Sequence, residues 1–530
     1  MTRGQTSEVR GQGAQTGRHA ALVAAGILVS RLTGLARQRV FSHYFGLRND
    51  NADAFTAAFR IPNFLQNLFG EGAMSGSFIP VYASLLARGE QREADRVAGA
   101  IASLLTLVVA AIVLVGVLAT PWLIDAIAPG FHGEKRLLTI AIVRVLFPGS
   151  ALFVLSAWCL GILNSHRRFL LSYASTVMWN AAMIATLVVF GPREALPKLA
   201  VTLAWGSVAG SALQFAVQLP VVWRVAPELR FALDTASQHV RAVVRGFFPV
   251  LMSRGVSQVS AYVDQLIASL LGTGAVTGLQ NASTLYTLPV SLFAISVSAA
   301  ELPAMSGTIG VDPAGFDKLR GSLNVGLRRI AFFVVPSAVA FLALGDIIVA
   351  ALFQTGRFQR ADSLIVWGIL AGSTVGLLAS TLARLYSSTY YALLDTRTPL
   401  TYAIIRVVLT TVLGYLCAIP LPRLLGIDAI WGTAGLTASA GLAGWVEMLL
   451  LRRKLNARIG KTGLPASYIA KLWTSAIAGA VVALGIKWLL PPIHPIVAAI
   501  VVLGPYGLTY FGVAMLLGLP VVSAFRRTNR

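Results

Sequence analysis

Charge is what this sequence has least of. Asp, Glu, Lys and Arg make up only 12% of its 530 residues, about half the roughly 25% usual in soluble domains. Hydrophobic residues make up 56%, and long apolar runs recur from end to end, which excludes an ordinary soluble globule. Acidic residues are scarcer still. There are 21 Asp and Glu against 43 Lys and Arg, for a net charge of +22. The basic residues fall mostly between apolar runs, so they read as topology signals and contacts to anionic lipid headgroups rather than as a nucleic-acid surface. The two cysteines, Cys159 and Cys417, sit in different runs, and the six histidines are scattered. Neither set has the spacing of a disulfide framework or a metal site. No GxxxxGK[ST] loop is present, which argues against direct ATP drive, and no Ser/His/Asp or Cys/His arrangement stands out. The sequence shows no catalytic pattern of an enzyme and calls for no cofactor.

The runs also lack the period-2 alternation of a β-barrel. An all-α polytopic membrane protein is therefore expected. Taking about 20 apolar residues per crossing gives fourteen spans, at 19–45, 52–87, 96–127, 136–164, 168–191, 197–224, 242–271, 276–307, 320–354, 362–391, 398–420, 428–451, 467–490 and 494–519. Residues 1–17 are polar and read as a disordered tail, with no signal peptide before the first run. Arginines and lysines concentrate in every second connection, for example Arg88, Arg92 and Arg96, then Arg224, Arg230, Arg241 and Arg245, then Arg452, Arg453 and Lys454. The positive-inside rule then places both termini in the cytoplasm, which requires an even number of spans.

A weak internal duplication is visible. Val29-Ser30-Arg31 in the first span is echoed by Met252-Ser253-Arg254 in the seventh. Arg60-Ile61-Pro62 and Phe78-Ile79-Pro80 in the second are echoed by Thr287-Leu288-Pro289 and Glu301-Leu302-Pro303 in the eighth. The offset of six spans predicts two six-helix lobes, at 19–230 and 231–460, between tails at 1–18 and 521–530. The last two helices, within 461–520, form an appendage. Repeats of this kind commonly hold a substrate between the lobes.

Ionisable residues inside spans mark functional interiors. Arg31 and Arg37 lie six residues apart in the first span, about 120° around a helix, with Gly34 between them. The planar donor fork of arginine suits phosphate. The competing reading is snorkelling to the interface or pairing with a buried acid. In the second span Arg60, Asn63, Asn67 and Glu71 share one helical face, beside Pro62. They read as a cavity wall or as a polar seam between two helices. Asp53 lies near the mouth, placed to orient an arginine. In the seventh span Arg254 and Asp264, with Gln258 between, stand as isolated charges, and Glu447 is a lone acid in the twelfth. For Asp264 and Glu447 a coupling-cation site and plain ion pairing both stay open, since each place offers one carboxylate where a cation needs several oxygens.

Several motifs resemble one known family. Ser30-Arg31-Leu32-Thr33-Gly34-Leu35-Ala36-Arg37, Ala52-Asp53-Ala54-Phe55, Phe59-Arg60-Ile61-Pro62-Asn63 and Glu71-Gly72-Ala73-Met74-Ser75 look like the opening of the MurJ (MviN) lipid II flippases. Arg144-Val145-Leu146-Phe147-Pro148, Gly161-Ile162-Leu163-Asn164-Ser165-His166 and the stretch from Tyr391 to Pro399 look like later parts of it. The resemblance implies the multidrug/oligosaccharidyl-lipid/polysaccharide exporter fold, with two lobes and two extra helices forming a groove for a lipid tail. It implies that Arg31 and Arg37 belong to a cationic cavity, with Asp53 as its acid and Arg60 as a further basic position. Two positions depart from the pattern. Gln66 stands where the family usually has arginine, and Ser283-Thr284 stands where it has an Asp-Arg pair.

The expected activity is transfer of an undecaprenyl-pyrophosphate-linked peptidoglycan precursor from the inner to the outer leaflet of the cytoplasmic membrane by alternating access. Arg31, Arg37 and Arg60 are the expected pyrophosphate ligands, with Arg254, Gln66 and Thr284 as further candidates. Drive by Na+, by H+ or by the membrane potential is open. The expected partners are lipid II or a similar lipid-linked glycan, membrane lipids and the cell-wall synthesis machinery. Alternatives are a flippase for another polyprenyl-pyrophosphate-linked glycan, a cation-coupled drug antiporter of the same fold, and a scaffold for cell-wall enzymes that has lost transport.

Overall fold

The computed structural model describes residue 26 and residues 28–69, 74–234, 237–295 and 313–519. Glu71 and the side chain of Arg254 lie outside the described residues, as do the two terminal tails. Among the described residues there is no strand. Helix α1 covers 28–45. It is followed by α2 (Asp50–Phe69), α3 (Ile79–Ala87), α4 (Gln91–Ile127), α5 (Gly133–Ser165), α6 (Phe169–Phe190), α7 (Leu196–Val225), α8 (Gln238–Ser269) and α9 (Ala275–Pro289). Then come α10 (Pro313–Phe353), α11 (Arg360–Thr374), α12 (Leu377–Ala392), α13 (Arg397–Ala418), the short α14 (Pro420–Leu425), α15 (Gly432–Ile459), α16 (Ala466–Leu489) and α17 (Pro495–Leu516).

Where they are described, the stretches expected to span the membrane are helical. Among the described residues eight helices are individually long and apolar enough to cross, and a ninth crossing is formed if the bent pair α11–α12 is taken as one. Fourteen crossings are compatible with this set. One expected span is bent and another contains a π turn. The run 52–87 is helical through Pro62 as far as Phe69 and, beyond residues 70–73, which lie outside the described residues, passes through a π turn at Met74–Phe78 into α3. The run 362–391 bends by 43° between α11 and α12. There Gly376 meets Gly441 of α15 so closely that a Cβ on Gly376 would lie 2.4 Å from the Gly441 Cα. Small residues at such points let helix backbones approach.

The chain forms two compact units. One holds the chain up to Phe45 together with Asn49–Tyr262, the other Gly46–Arg48 and the chain from Val263 onward. In the first, α5 is the central helix, packed on α2, α4 and α7, with α6 against α7. Trp158 of α5 is buried and donates from Nε1 to the Ala98 carbonyl of α4 at 3.1 Å. After α5, the imidazole of His166 meets the Tyr82 hydroxyl at 3.0 Å. Burial, the larger cause, and the nearby Arg168 cation hold the His166 pKa below its ordinary value, with Asp95 opposing them. The ring is therefore neutral at physiological pH.

In the second unit, α10 packs against α11 and α12 as well as α16 and α17. Pro336 inside α10 has no N–H, so the Phe332 carbonyl four residues earlier loses its helical donor. The Tyr510 hydroxyl of α17 supplies that donor at 2.5 Å, and the Tyr506 hydroxyl donates to the Pro336 carbonyl at 2.6 Å. Tyr510→Phe is expected to destabilise the unit by about 1–3 kcal/mol, the usual consequence of a buried acceptor left without a donor. Thermal unfolding of the detergent-purified chain checks this, and an unchanged transition would count against the role given to Tyr510.

The start of α13 is tied to the end of α15 by a polar cluster. Asp395 accepts from the Thr398 amide at 3.0 Å and from its hydroxyl at 2.8 Å, while Lys454 donates to the same hydroxyl at 2.8 Å. The Thr398 amide, then the Thr398 hydroxyl and the nearby Lys454 and Arg458, hold the Asp395 carboxyl below its usual range against a smaller opposing effect of burial. A depressed folded-state pKa stabilises above the unfolded value of about 3.9 and loses that stabilisation as pH falls through the folded value. Asp395→Ala should therefore melt below wild type at pH 7, with the gap closing below about pH 4. A gap that stays constant with pH would contradict this.

Candidate functional site

Arg37 has the most developed surroundings of the predicted site residues. It lies half-buried on α1, where its Nε donates to Asn180 Oδ1 of α6 at 3.1 Å. Its guanidinium lies 5.0 Å from the Trp179 ring centroid and 5.6 Å from that of Phe59. The two rings stack on each other at 5.5 Å with an interplanar angle of 12°. Trp179 is fixed in turn by its Nε1–H, which donates to Ser207 of α7 at 3.1 Å. Asn180 is oriented through its Nδ2, which donates to the Thr176 carbonyl at 3.2 Å and to the Thr33 hydroxyl at 3.4 Å. The stacked face and the Nε edge of the fork are thus taken by protein. Among the described residues the terminal Nη atoms make no hydrogen bond, and they present the two-pronged edge that matches a phosphate.

Arg31, two turns earlier on α1, is exposed. On α2 the expected polar face is present. Arg60, Asn63 and Gln66 are half-buried and Asn67 is exposed, while Ile61, Leu65 and Phe69 on the other side are buried. Arg60 donates through Nη1 to the Ala261 carbonyl of α8, and the Tyr262 hydroxyl donates back to the Arg60 carbonyl at 3.3 Å. Phe64 meets the Tyr262 ring edge-on at 5.3 Å. Arg60 therefore latches α2 to α8 as well as offering charge. It adjoins Phe59, the residue beneath Arg37, so one turn of α2 serves both arginines.

Asp53, expected to orient an arginine, lies beside a lysine of α5. It is 0% exposed, and its Oδ2 accepts from Lys135 Nζ of α5 at 2.9 Å. Lys135 also pairs with Asp50 at 2.9 Å and lies 4.3 Å from the Phe131 ring centroid. Sequence reasoning read Lys135 only as a connection charge. Asn180 and Trp179 were missed altogether, and Phe59 entered only as part of a family motif. The available signal was a lone asparagine beside a tryptophan within an apolar run.

In the second unit, Thr284 donates to the Gln280 carbonyl of its own helix at 2.9 Å, an ordinary intrahelical bond that gives it no arginine-like reach. Asp264 is partly buried on α8. Glu447 is 7% exposed and not alone, because Arg406 of α13 pairs with it at 3.1 Å. The cation was overlooked inside the run 398–420. Arg406→Gln should lower thermal stability by about 3–5 kcal/mol, since it leaves a buried carboxylate without its counter-ion. Adding Glu447→Gln should restore most of that loss. A double variant no better than the single would mean that Glu447 has another role. Among the described residues, no group of three or more His, Cys, Asp and Glu side chains is placed to hold a metal ion.

Comparison with known proteins agrees with these observations. The family model described as lipid II flippase MurJ matches residues 41–503. A Burkholderia cenocepacia protein named lipid II flippase MurJ is 32% identical over 438 residues, covering 81% of this chain and 82% of that protein. A Bdellovibrio bacteriovorus protein named probable lipid II flippase MurJ is 30% identical over 528 residues, covering 96% of each. A solved structure described as lipid II flippase MurJ in an inward closed conformation superposes with a TM-score of 0.78 at 24% identity, covering 95% of this chain and all of that one. An inward-facing multidrug resistance MATE transporter superposes at 0.66 with 17% identity, covering 83% of this chain and 98% of that one. With the family pattern extending over most of its length and the helical fold matching as well, the chain is a multi-pass membrane protein that belongs to the lipid II flippase MurJ family.

Proposed function

We propose that this chain carries lipid II, or a closely similar undecaprenyl-pyrophosphate-linked precursor, from the inner to the outer leaflet of the cytoplasmic membrane for peptidoglycan synthesis. The observation that carries the reading is Arg37. Its guanidinium is packed on Trp179 and Phe59 and aligned by Asn180, with its Nη edge left to meet an anion. Arg31 and Arg60 add positive charge on α1 and α2, and Asn63, Gln66 and Asn67 offer hydrogen bonds to the sugar-peptide part. Both termini lie in the cytoplasm, and 19–230 and 231–460 act as the two moving lobes, with the tail groove on the last two helices. Partners in wall synthesis receive the flipped product.

Each negative charge moved outward across an inside-negative membrane gains about 2.3 kcal/mol per 100 mV, so the potential favours export without ATP. Coupling to Na+ or H+ adds to that drive if Asp264 takes part. The test is rescue of a strain depleted of its lipid II flippase. Growth and normal shape are expected with the wild-type chain, and lysis despite membrane insertion would reject the assignment. A flippase for another polyprenyl-pyrophosphate-linked glycan is the second reading, favoured by Gln66 and by Thr284, whose hydroxyl is taken up by the Gln280 carbonyl. Under it, deletion causes a different lipid-linked glycan to accumulate while lipid II export stays normal.

A further inference from the structure

One cavity, of about 580 Å³, combines opposite charges with an apolar floor and involves none of the residues above. It lies within the second unit, where the end of α10, the first turn of α11, the end of α16 and the start of α17 meet. Asp346, Gln354, Arg360 and Lys487 line its polar part, and Ile347 and Val502 its apolar part. All four helices end or begin there, so the cavity sits at one end of the helical layer, at the level of a membrane–water interface. It is at the opposite end of α10 from Arg320, Arg328 and Arg329.

The charges are arranged asymmetrically. Lys487 Nζ donates to Asp346 Oδ2 at 2.7 Å. The other oxygen, Asp346 Oδ1, is buried and receives no hydrogen bond among the described residues. A buried carboxylate oxygen without a donor is unfavourable and marks where a donor belongs. Arg360 is exposed at the first position of α11, whose N-terminus is itself capped by Gln359 and Asp362, so the anion-binding charge there is the guanidinium's own. A ligand that fits must therefore carry a donor for Asp346, an anion for Arg360 and Lys487, and an apolar segment for the floor.

We propose that this cavity holds the headgroup of a zwitterionic phospholipid with a primary ammonium. The ammonium donates to Asp346 Oδ1, the phosphate lies between Arg360 and Lys487, and the first methylenes of the chains rest on Ile347 and Val502. A quaternary ammonium has no N–H to donate. A neutral hydroxyl headgroup can donate to the carboxylate but brings no positive charge to it, which is the weaker interaction. The readout is lipid retention rather than translocation, so its failure leaves the flippase assignment standing, and the reverse also holds.

The test is native mass spectrometry of the full-length detergent-purified chain, offered phosphatidylethanolamine, phosphatidylcholine and phosphatidylglycerol with identical chains. Phosphatidylethanolamine should be retained about tenfold over phosphatidylcholine, the effect of one charge-assisted hydrogen bond. It should also be retained over phosphatidylglycerol. Asp346→Asn should abolish the preference over phosphatidylcholine and leave phosphatidylglycerol the favoured lipid, because Lys487 then lacks its counter-ion. Arg360→Gln, at an exposed position, should weaken phosphatidylethanolamine severalfold even if the Asp346 variant does not fold. Equal retention of phosphatidylethanolamine and phosphatidylcholine by the wild type overturns the proposal. So does a preference for phosphatidylglycerol in the wild type, or unchanged phosphatidylethanolamine retention in Arg360→Gln.

Discussion

Arg37→Ala is expected to abolish rescue of a flippase-depleted strain while leaving the protein inserted at wild-type levels. The guanidinium of Arg37 is positioned by three groups that do not move with the substrate: Asn180 at its Nε, and Trp179 and Phe59 beneath its plane. Its Nη donors are then pre-oriented, and no rotamer search precedes capture of an anion. Each charge-assisted hydrogen bond contributes about 1.5–3 kcal/mol, so loss of the pair should lower translocation by a hundredfold or more. Arg37→Lys keeps the charge but loses the planar fork and the Asn180 contact. It should retain only weak activity, about a tenth or less of wild type. Asn180→Leu leaves the arginine in place without its acceptor and should give an intermediate defect. Translocation assays at matched protein levels separate these cases. Wild-type rates in Arg37→Ala would remove Arg37 from the pathway.

A large effect on stability is also expected at Lys135. Its ammonium is an ion partner of the fully buried Asp53, and its own side chain is only 12% exposed. Removing one member of such a pair strands the other in a low-dielectric interior, typically at a loss of about 3–5 kcal/mol. Lys135→Met keeps the length of the stem over Phe131 and removes only the charge. It should lower the apparent melting temperature by several degrees. Adding Asp53→Asn should recover most of the loss, because an uncharged amide tolerates the same burial. The coupling between the two changes, read from a double-mutant cycle, should exceed about 1 kcal/mol. Additive effects would mean that the pair does not hold α2 to α5.

Much of the fold is legible because a membrane demands it. Twenty-residue apolar runs and a basic bias in alternate connections are signals that packing details do not override. The π turn at Met74–Phe78 and the bend before Leu377 were not legible. The bend accompanies a close approach of Gly376 to Gly441 that spacing alone does not reveal. The site was half legible. Arg37 and the polar face of α2 follow from the rarity of charge in apolar helices. Asn180 and Trp179 do not, since neither residue type is unusual in a membrane helix and both sit some 140 positions away in sequence. The counter-ions were misjudged for a related reason. Lys135 and Arg406 meet Asp53 and Glu447 through long-range packing, and a charge near a helix end reads in sequence as a topology signal.

The central claim is that Arg37 holds a lipid-linked pyrophosphate during its passage to the outer leaflet. The most direct measurement is the fraction of lipid II open to a membrane-impermeant hydrolase in depleted cells expressing either the wild-type chain or Arg37→Ala. The account predicts that the wild-type chain restores the externally accessible fraction and that Arg37→Ala, present at the same level, does not. Restoration by both, or by neither despite correct insertion, would contradict it.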